Sequence, residues 1–114
     1  MAWEIETSEQ VTLWLEGLDN TTFDQIMPVI DSLEQIGPTL GRPLADRIEG
    51  SKHHNMKELR SAGKHLRILF AFDPQRKAIL LIAGDKEGQW DGWYQANVPL
   101  ADEMYDRHLA GEKI

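Results

Sequence analysis

Apolar residues recur at intervals of three and four positions near the start of the chain, which is the spacing of one helix face. Ser8 precedes this run and belongs to the residue types that cap helix N-termini. The apolar positions are Val11, Trp14, Leu15 and Leu18. We therefore predict an amphipathic helix that starts after Ser8 and ends at 17–20, preceded by a short strand at Trp3–Glu6.

A second amphipathic helix is predicted from Thr22, because Thr22 and Gln25 have the spacing of a capping box. Its apolar positions are Phe23, Ile26, Met27, Ile30 and Leu33. Gly37 and Pro38 end this helix, since glycine favours a C-terminal cap and proline cannot continue a helix. Pro28 lies inside the run, where its ring and its missing N–H predict a kink or a later start.

The pattern then changes to short aliphatic runs, which predict strands at Met56–Arg60, Leu66–Asp73 and Ala78–Gly84. The last two runs are apolar at both odd and even positions, so helices are expected to cover this pair on both faces. The sequence Asp-Pro-Gln-Arg at 73–76 has the residue preferences of a type I turn and predicts an antiparallel hairpin.

The predicted hairpin brings cations together. If it closes with a two-residue loop, Arg67 lies opposite Gly84, and Lys86 follows on the same face. Gly84 has no side chain to cover Arg67, so we expect the Arg67 guanidinium to be exposed beside a shallow open space. Arg60 joins this group if the sheet continues on that side.

Aromatic residues at helical spacing predict a helical segment beyond residue 88. They are Trp90, Trp93 and Tyr94. A further helix is expected after Pro99, with Leu100, Met104 and His108 on its apolar side. Together the elements predict an α/β (α+β) fold, with a small central antiparallel sheet of three to four strands covered by two N-terminal helices and C-terminal helical segments. We expect residues 1–114 to form one domain, since no linker or repeat is visible.

Composition and charge narrow the class of protein. The 114 residues include no Cys, which excludes disulfides and thiolate metal sites. The N-terminus is acidic and no run approaches the ~18 apolar residues of a membrane span, so we expect a cytoplasmic protein with no membrane segment. The net charge of −7 argues against a general nucleic-acid binder, but residues 42–86 contain ten Lys or Arg and five Asp or Glu. A basic centre is therefore flanked by acidic arms.

Several catalytic classes lack their motifs. No GxGxxG or GxxxxGK[ST] loop occurs, and no serine lies in a nucleophile-elbow context. The four histidines lack the spacing of a helix-borne metal site, so we expect neither a metal nor a cofactor. His53 and His54 point in opposite directions if the chain is extended, and His54 is kept as a reserve base.

Arg67, Lys86 and the nearby aromatic residues favour binding of single-stranded RNA. Guanidinium groups clamp phosphates through two hydrogen bonds, and aromatic rings stack bases. The alternative is a structural role, in which Arg67 pairs with Asp85 or Asp91 and the tryptophans belong to the core.

An ordered set of segments resembles the RelE/HigB superfamily of type II toxin–antitoxin toxins, most closely its phage-derived HigB-like branch. The segments are IGPTLGRP, MKELR, LRILFAFD, LLIAGDKEGQWDGWY and PLADEMYDRHL. The resemblance spans residues 37 to 109. It implies helices packed on a central antiparallel sheet, and a ribosome-dependent endoribonuclease that cuts messenger RNA.

The resemblance also implies roles for particular residues. The catalytic candidates, which match strand cations, a lysine and a C-terminal aromatic residue of the family, are Arg60, Arg67, Lys86 and Tyr94. The residues expected to contact RNA are Lys57, a weaker match, together with His54 and Trp93. The implied reaction is attack of a ribose 2′-hydroxyl on the adjacent phosphate, with the arginines stabilising the phosphate and Lys86 or Tyr94 moving protons.

The implied partners are a cognate helix-turn-helix antitoxin and messenger RNA on the ribosome, with a homodimer or a toxin–antitoxin hetero-oligomer as the assembly. We expect the antitoxin to cover the basic centre, the alternative being that it packs on the acidic N-terminal helices. Two other functions stay open at this point: a ParE-like poison of DNA gyrase, and a catalytically inactive interaction module.

Overall fold

The computed structural model describes residues 2–61 and 65–114, in which five strands and three α-helices follow one another along the chain. The elements are β1 (Ile5–Thr7), α1 (Glu9–Glu16), α2 (Asn20–Ile36), β2 (Ala45–Arg47), β3 (Lys57–Arg60), β4 (Leu66–Phe72), β5 (Ala78–Asp85) and α3 (Asp91–Leu109). A short 3₁₀ turn, Gly37–Thr39, follows α2. None of the helices described is long and apolar enough to cross a lipid bilayer.

The strands form one sheet in the order β1-β5-β4-β3-β2. β1 runs parallel to β5, and the other neighbouring pairs are antiparallel. The predicted α+β class is confirmed, but the sheet has five strands rather than three to four. β2 is not among the predicted strands, because it has three residues of which Ala45 alone is buried.

The helices lie on both faces of the sheet, as the apolar pattern of β4 and β5 predicts. One core, between the sheet and helices α1 and α2, contains Val11, Ile26, Leu33, Ile68 and Phe70. The other core, under α3, contains Leu69, Leu81, Trp93, Ala101 and Tyr105. β4 is therefore the central strand, with side chains buried in both directions.

The N-terminal helices differ from the prediction at their boundaries. Ser8 caps α1 as predicted, since its hydroxyl accepts a hydrogen bond from the Val11 N–H at 3.1 Å. The predicted cap at Thr22 is wrong, because the Asp19 carboxylate accepts from the Thr22 N–H at 2.7 Å and α2 starts at Asn20. The later start suggested by Pro28 is also wrong, since α2 runs through this exposed residue while its buried face holds both halves on the sheet.

The C-terminal region is one helix rather than two segments. α3 continues through Pro99, which is exposed, and buried Trp93 and Ala101 anchor the helix on either side of it. Because the helix is continuous, the residues that pack on the sheet after Pro99 continue the face that Trp93 occupies in the first turn. Leu100, predicted on the apolar side, is consequently 49% exposed.

The β4–β5 hairpin has the predicted turn but a longer loop. The Arg76 N–H donates to the Asp73 carbonyl at 2.9 Å, as in a type I turn. The Asp73 N–H then donates to the Lys77 carbonyl at 2.9 Å, so three residues rather than two close the hairpin. Arg76, the last of the three, has a φ of 67°, which fits the common three-residue hairpin loop.

A β-bulge at Leu81 takes up the extra residue, since the strand pairs on its two sides differ in register by one. The buried Ser8 hydroxyl donates to the Leu81 carbonyl at 2.7 Å and so satisfies this carbonyl. Beyond the bulge Arg67 pairs with Gly84. The predicted register at the candidate site is therefore confirmed, because the longer loop and the bulge compensate for each other.

Candidate active site

The catalytic candidates meet at one end of the sheet. Arg60, the last residue of β3, pairs directly with Arg67 on β4, and Arg67 pairs with Gly84 on β5. Lys86 directly follows the last residue of β5, and Tyr94 projects from the first turn of α3. Three neighbouring strands and the start of α3 thus bring the four predicted catalytic residues together.

Glu58, which is not among the predicted site residues, is the centre of this group. The Tyr94 hydroxyl donates a hydrogen bond to Glu58 Oε1 at 2.6 Å, and Arg67 Nε lies 3.3 Å from the same oxygen. Arg60 Nη2 lies 3.3 Å from Glu58 Oε2. The carboxylate is 3% exposed, so it offsets two facing cations that would otherwise repel each other across the β3–β4 pair.

The position of Glu58 in the sequence is the signal that could have identified it. Glu58 and Arg60 are two residues apart on one strand, so both point to the same face. A carboxylate on the same face as a pair of strand cations is their most direct ion-pair partner. The prediction considered Asp85 and Asp91 as partners of Arg67 instead.

The expectation that the Arg67 guanidinium is exposed is wrong. Arg67 is 8% exposed, and its Nη1 donates to the Leu66 carbonyl at 2.9 Å while Nε donates to the Tyr94 hydroxyl at 3.2 Å. Gly84 borders no open space, because the Trp93 indole covers it so closely that a Cβ at Gly84 would lie 2.8 Å from Trp93 Nε1. Arg67 therefore organises the site from inside the protein.

Among the residues that the structure describes, Arg60 and Lys86 are the cations of this group with access to a ligand. The Arg60 side chain is 33% exposed, and its second carboxylate neighbour, Asp46, is 3.9 Å away. Lys86 is half-buried, and no carboxylate of the described residues lies within ion-pair distance of its amine. Its Nζ lies 5.3 Å from the ring centres of both Trp90 and Tyr94.

The surroundings shift the proton affinities of Lys86 and Tyr94 in opposite directions. Burial and then the positive charge of Arg67 lower the pKa of Lys86 below its usual 10.5. Burial and then the hydrogen bond to Glu58 raise the pKa of Tyr94 above its usual 10.0. Lys86 therefore loses its proton more readily than an ordinary lysine, whereas the Tyr94 phenol keeps its proton.

The aromatic residue that faces solvent at this site is Trp90 rather than Trp93. Trp93, predicted to contact RNA, is 4% exposed and packs on Gly84. Trp90 is 51% exposed and lies beside Lys86 and His65, with a His65 ring centre 4.7 Å from its own. The spacing of three residues predicts one shared helix face, but Trp90 precedes α3 with a φ of 46° and so leaves that face.

Two further RNA-contact candidates lie away from the group. Lys57 points to the sheet face covered by α2 and donates to the Pro38 carbonyl at 2.9 Å. His54 is exposed in the loop that precedes β3, at the opposite end of this strand from Arg60. The structure does not bring either residue to the four catalytic candidates.

The basic centre seen in the sequence does not form one surface. Lys52 pairs with Asp106 on α3, and Lys77 lies 3.1 Å from Glu6 on β1. Arg76 stacks over Trp3 at 4.6 Å. The described cations of residues 42–86 are thus spread over several faces, and Arg60 and Lys86 are those among them with access to a ligand at the site; Lys64 lies outside the described residues.

A cleft of about 730 Å³ lies elsewhere, between α1, β1 and the C-terminal segment. Its lining includes Glu6, Glu9 and Glu112, which disfavour a polyanion, and none of the catalytic candidates. Across residues 2–61 and 65–114, no three His, Asp or Glu side chains gather closely enough to hold a metal ion.

Comparison with known proteins adds sequence similarity over most of the chain. Residues 13–106 match the family described as phage derived protein Gp49-like. HigB3, a predicted toxin of Mycobacterium tuberculosis, is 52% identical over 103 residues, which is 90% of each chain. HigB2, a second predicted toxin of that organism, is 51% identical over 105 residues, and the match spans 90% of this chain and 52% of HigB2.

Solved structures of lower identity share the fold. A free-state double arginine-to-alanine variant of Escherichia coli RelE aligns with a TM-score of 0.59 at 11% identity, over 85% of this chain and 99% of RelE. The toxin chain of the Pyrococcus horikoshii RelE–RelB complex aligns with a TM-score of 0.58 at 16% identity, over 78% and 99% of the two chains. A chain of the Mycobacterium tuberculosis RelBE2 toxin–antitoxin complex gives 0.53 at 12% identity, over 75% and 99%.

Proposed function

The chain belongs to the Gp49-like family, the phage-derived HigB branch of the RelE/HigB toxins, and from this premise we propose that it is a ribosome-dependent endoribonuclease that cuts messenger RNA. The observation that best supports the nuclease is the position of Lys86 and Tyr94 beside the partly exposed Arg60. A metal-independent cleavage needs a base, an acid and a cation for the phosphate. Lys86, which loses its proton more readily than an ordinary lysine, the protonated Tyr94 and Arg60 can supply these three groups.

The reaction starts at the ribose 2′-hydroxyl next to the scissile phosphate. The 2′-oxygen bonds to phosphorus while its proton passes to the neutral Lys86 amine. The bond from phosphorus to the 5′-oxygen then breaks, and the Tyr94 hydroxyl gives its proton to that oxygen. The products are a 2′,3′-cyclic phosphate and a free 5′-hydroxyl, and a second proton exchange with water restores both side chains.

Two arginines support this reaction in different ways. Arg60 is placed to contact the non-bridging phosphate oxygens, where negative charge accumulates in the transition state. Arg67 Nε, 3.2 Å from the Tyr94 oxygen, stabilises the phenolate that forms when Tyr94 has given up its proton. Glu58 orients the Tyr94 hydroxyl in the free protein, and the hydroxyl turns toward the substrate when RNA binds.

The proposed partner is a helix-turn-helix antitoxin, which with this chain forms a toxin–antitoxin hetero-oligomer in the cytoplasm. Two of the structural neighbours are complexes of a toxin with its antitoxin, which supports a protein partner of this kind. Carboxylates of the antitoxin would compete with RNA for Arg60 and Lys86, since these two cations of the described residues have access to a ligand at the site. A homodimer remains the alternative assembly.

Induced expression of the chain, followed by primer-extension mapping of messenger RNA ends, tests the nuclease. We expect growth arrest with cuts inside translated frames, reversed when the antitoxin is co-expressed. Lys86→Ala and Tyr94→Phe should abolish cutting, whereas Lys57→Ala, on the other face of the sheet, should not. Arrest with intact messenger RNA would overturn the proposal, and relaxed DNA supercoiling in the arrested cells would favour a ParE-like gyrase poison instead.

A further inference from the structure

We propose that Trp90 is the platform on which a base of the RNA substrate stacks, beside the phosphate that Lys86 and Arg60 contact. This inference rests on the proposed nuclease function and extends it to the binding of the nucleotide. It assigns a role in substrate positioning to a residue outside the predicted site.

The exposure of Trp90 is the first argument. Half of its surface is open to solvent, whereas Trp93, three residues later, is almost completely buried. A half-exposed indole gains only part of the free energy that full burial would give, so packing is an incomplete reason for tryptophan at this position. Indole rings are among the side chains on which the bases of single-stranded RNA stack.

The backbone at Trp90 is the second argument. Trp90 occupies the N-cap of α3 with a φ of 46°, in the left-handed region that side chains other than glycine rarely adopt. Its side chain makes no capping hydrogen bond, unlike those of Ser8 and Asp19 at α1 and α2. The strained backbone turns the ring away from the core, and strain of this kind concentrates at functional sites.

The neighbours of the ring are the third argument. The Lys86 amine lies 5.3 Å from the Trp90 ring centre, and the His65 ring packs against Trp90 at 75°. These contacts hold the indole in place before a ligand arrives, which lowers the entropic cost of stacking. Because Lys86 also faces Tyr94 at 5.3 Å, a base on Trp90 lies next to the groups that act on its phosphate.

Stacking on an indole is tolerant of base identity, because every base presents a π-face. Trp90 should therefore contribute to affinity rather than to the choice of base. Its loss should raise KM for the RNA with little change in kcat, since it contacts the base and not the reacting atoms.

The test compares Trp90→Leu, which keeps apolar bulk, with Trp90→Phe, which keeps a π-face. Cleavage of messenger RNA on programmed ribosomes gives KM and kcat. Fluorescence anisotropy with a single-stranded 2′-O-methyl oligonucleotide, which cannot be cut, gives the Kd. Leu109→Ala on the exposed surface of α3 is the matched control, and melting temperatures check the fold.

We expect Trp90→Leu to raise KM and Kd by about tenfold or more, the scale of alanine substitutions at base-stacking aromatics. Trp90→Phe should stay within about threefold of the parent, and kcat should change little in both variants. Unchanged KM and Kd in Trp90→Leu would overturn the inference, as would loss of antitoxin binding alone, which would make Trp90 a protein contact. If the parent binds the oligonucleotide without cutting RNA, the nuclease proposal fails while the two variants still decide the role of Trp90.

Discussion

Arg67 Nε and Glu58 Oε1 lie 3.3 Å apart on neighbouring strands, and both side chains are more than nine-tenths buried. The pair is therefore part of the protein interior and not of its surface. Two charges removed from water depend on each other, because either one alone would remain buried without compensation. Arg67 thus serves the site by fixing Glu58 and Tyr94, and in the proposed reaction direct contact with the phosphate is left to Arg60 and Lys86.

Arg67→Ala should lower the free energy of unfolding by about 3 kcal/mol, the scale of removing one partner from a buried ion pair. Urea denaturation at neutral pH measures this change. Arg42→Ala is the control, since Arg42 also lies 2.9 Å from a carboxylate but is 78% exposed, and it should change the free energy by less than about 1 kcal/mol. Equal stability of Arg67→Ala and the parent would show that Glu58 does not depend on Arg67.

The lowered pKa of Lys86 predicts the pH dependence of cleavage. If neutral Lys86 is the base, the rate rises with pH and levels off once Lys86 has lost its proton, at a pH below the usual 10.5 of a lysine. Lys86→Arg keeps the positive charge but cannot accept a proton, so we expect it to be inactive at every pH. An active Lys86→Arg variant would instead make Lys86 an electrostatic group.

Gly84→Ala should destabilise the protein and disturb the site. The new methyl group would lie 2.8 Å from Trp93 Nε1, and the buried Trp93 has no room to move. Overpacking of this kind costs about 1 to 3 kcal/mol. Gly92→Ala is the matched control, because a Cβ there meets nothing within 4 Å and alanine favours the helix. Thermal melting of the two variants should move in opposite directions, and equal loss in both would contradict the close contact.

The surroundings of Asp73, at the far end of the sheet from the site, predict that the protein loses stability in acid. Burial alone would raise the pKa of Asp73, but hydrogen bonds from His108, at 2.8 Å, and from the Lys77 N–H hold it below its usual 3.8. A depressed pKa gives stability that is present above the unfolded value and is lost as pH falls through the folded value. Asp73→Asn should therefore be about 2 kcal/mol less stable than the parent at neutral pH.

The difference between Asp73→Asn and the parent should shrink below about pH 4, where the parent carboxylate takes up its proton. Denaturation by urea at a series of pH values measures it. Asp31→Asn, at an exposed position of α2, should show no such trend. A constant difference down to pH 2 would mean that the hydrogen-bonded carboxylate is not the source of the stability.

Local patterns in the sequence predict the hairpin, because turn chemistry is a short-range property. The predicted pairing of Arg67 with Gly84 holds because the bulge at Leu81 offsets a loop one residue longer than predicted, and the sequence pattern signals neither of these two features. β2 could not be predicted from its own residues, because these three residues are extended through their pairing with β3 and show no strand pattern. Alternation along β3 could have placed Glu58 on the same face as Arg60, but it does not show the full role of this carboxylate. Its value lies in contacts with Arg67 and Tyr94, and the second of these depends on how α3 docks on the sheet.

The two tryptophans near the site show the limit of periodicity. A spacing of three residues puts Trp90 and Trp93 on one helix face only if both residues have helical φ angles. Trp90, the residue before the helix, has a positive φ and does not fit that assumption. Trp90 is therefore exposed, and Trp93, predicted to contact RNA, is buried. A single backbone angle, which the apolar pattern does not report, decides which ring can meet a ligand.

In the proposed function, the pairing of many cations with carboxylates of the same chain affects how RNA approaches the protein. At long range an approaching polyanion meets the field of the whole chain, whose formal net charge is −7, and is repelled. Attraction by Arg60 and Lys86 exceeds this repulsion only close to the site, because their two charges are local whereas the net charge belongs to the whole chain. Added salt should therefore speed the encounter, the reverse of proteins that neutralise many phosphates. Under the proposed function, a toxin of this charge binds its substrate most readily when the ribosome already holds the messenger RNA beside it.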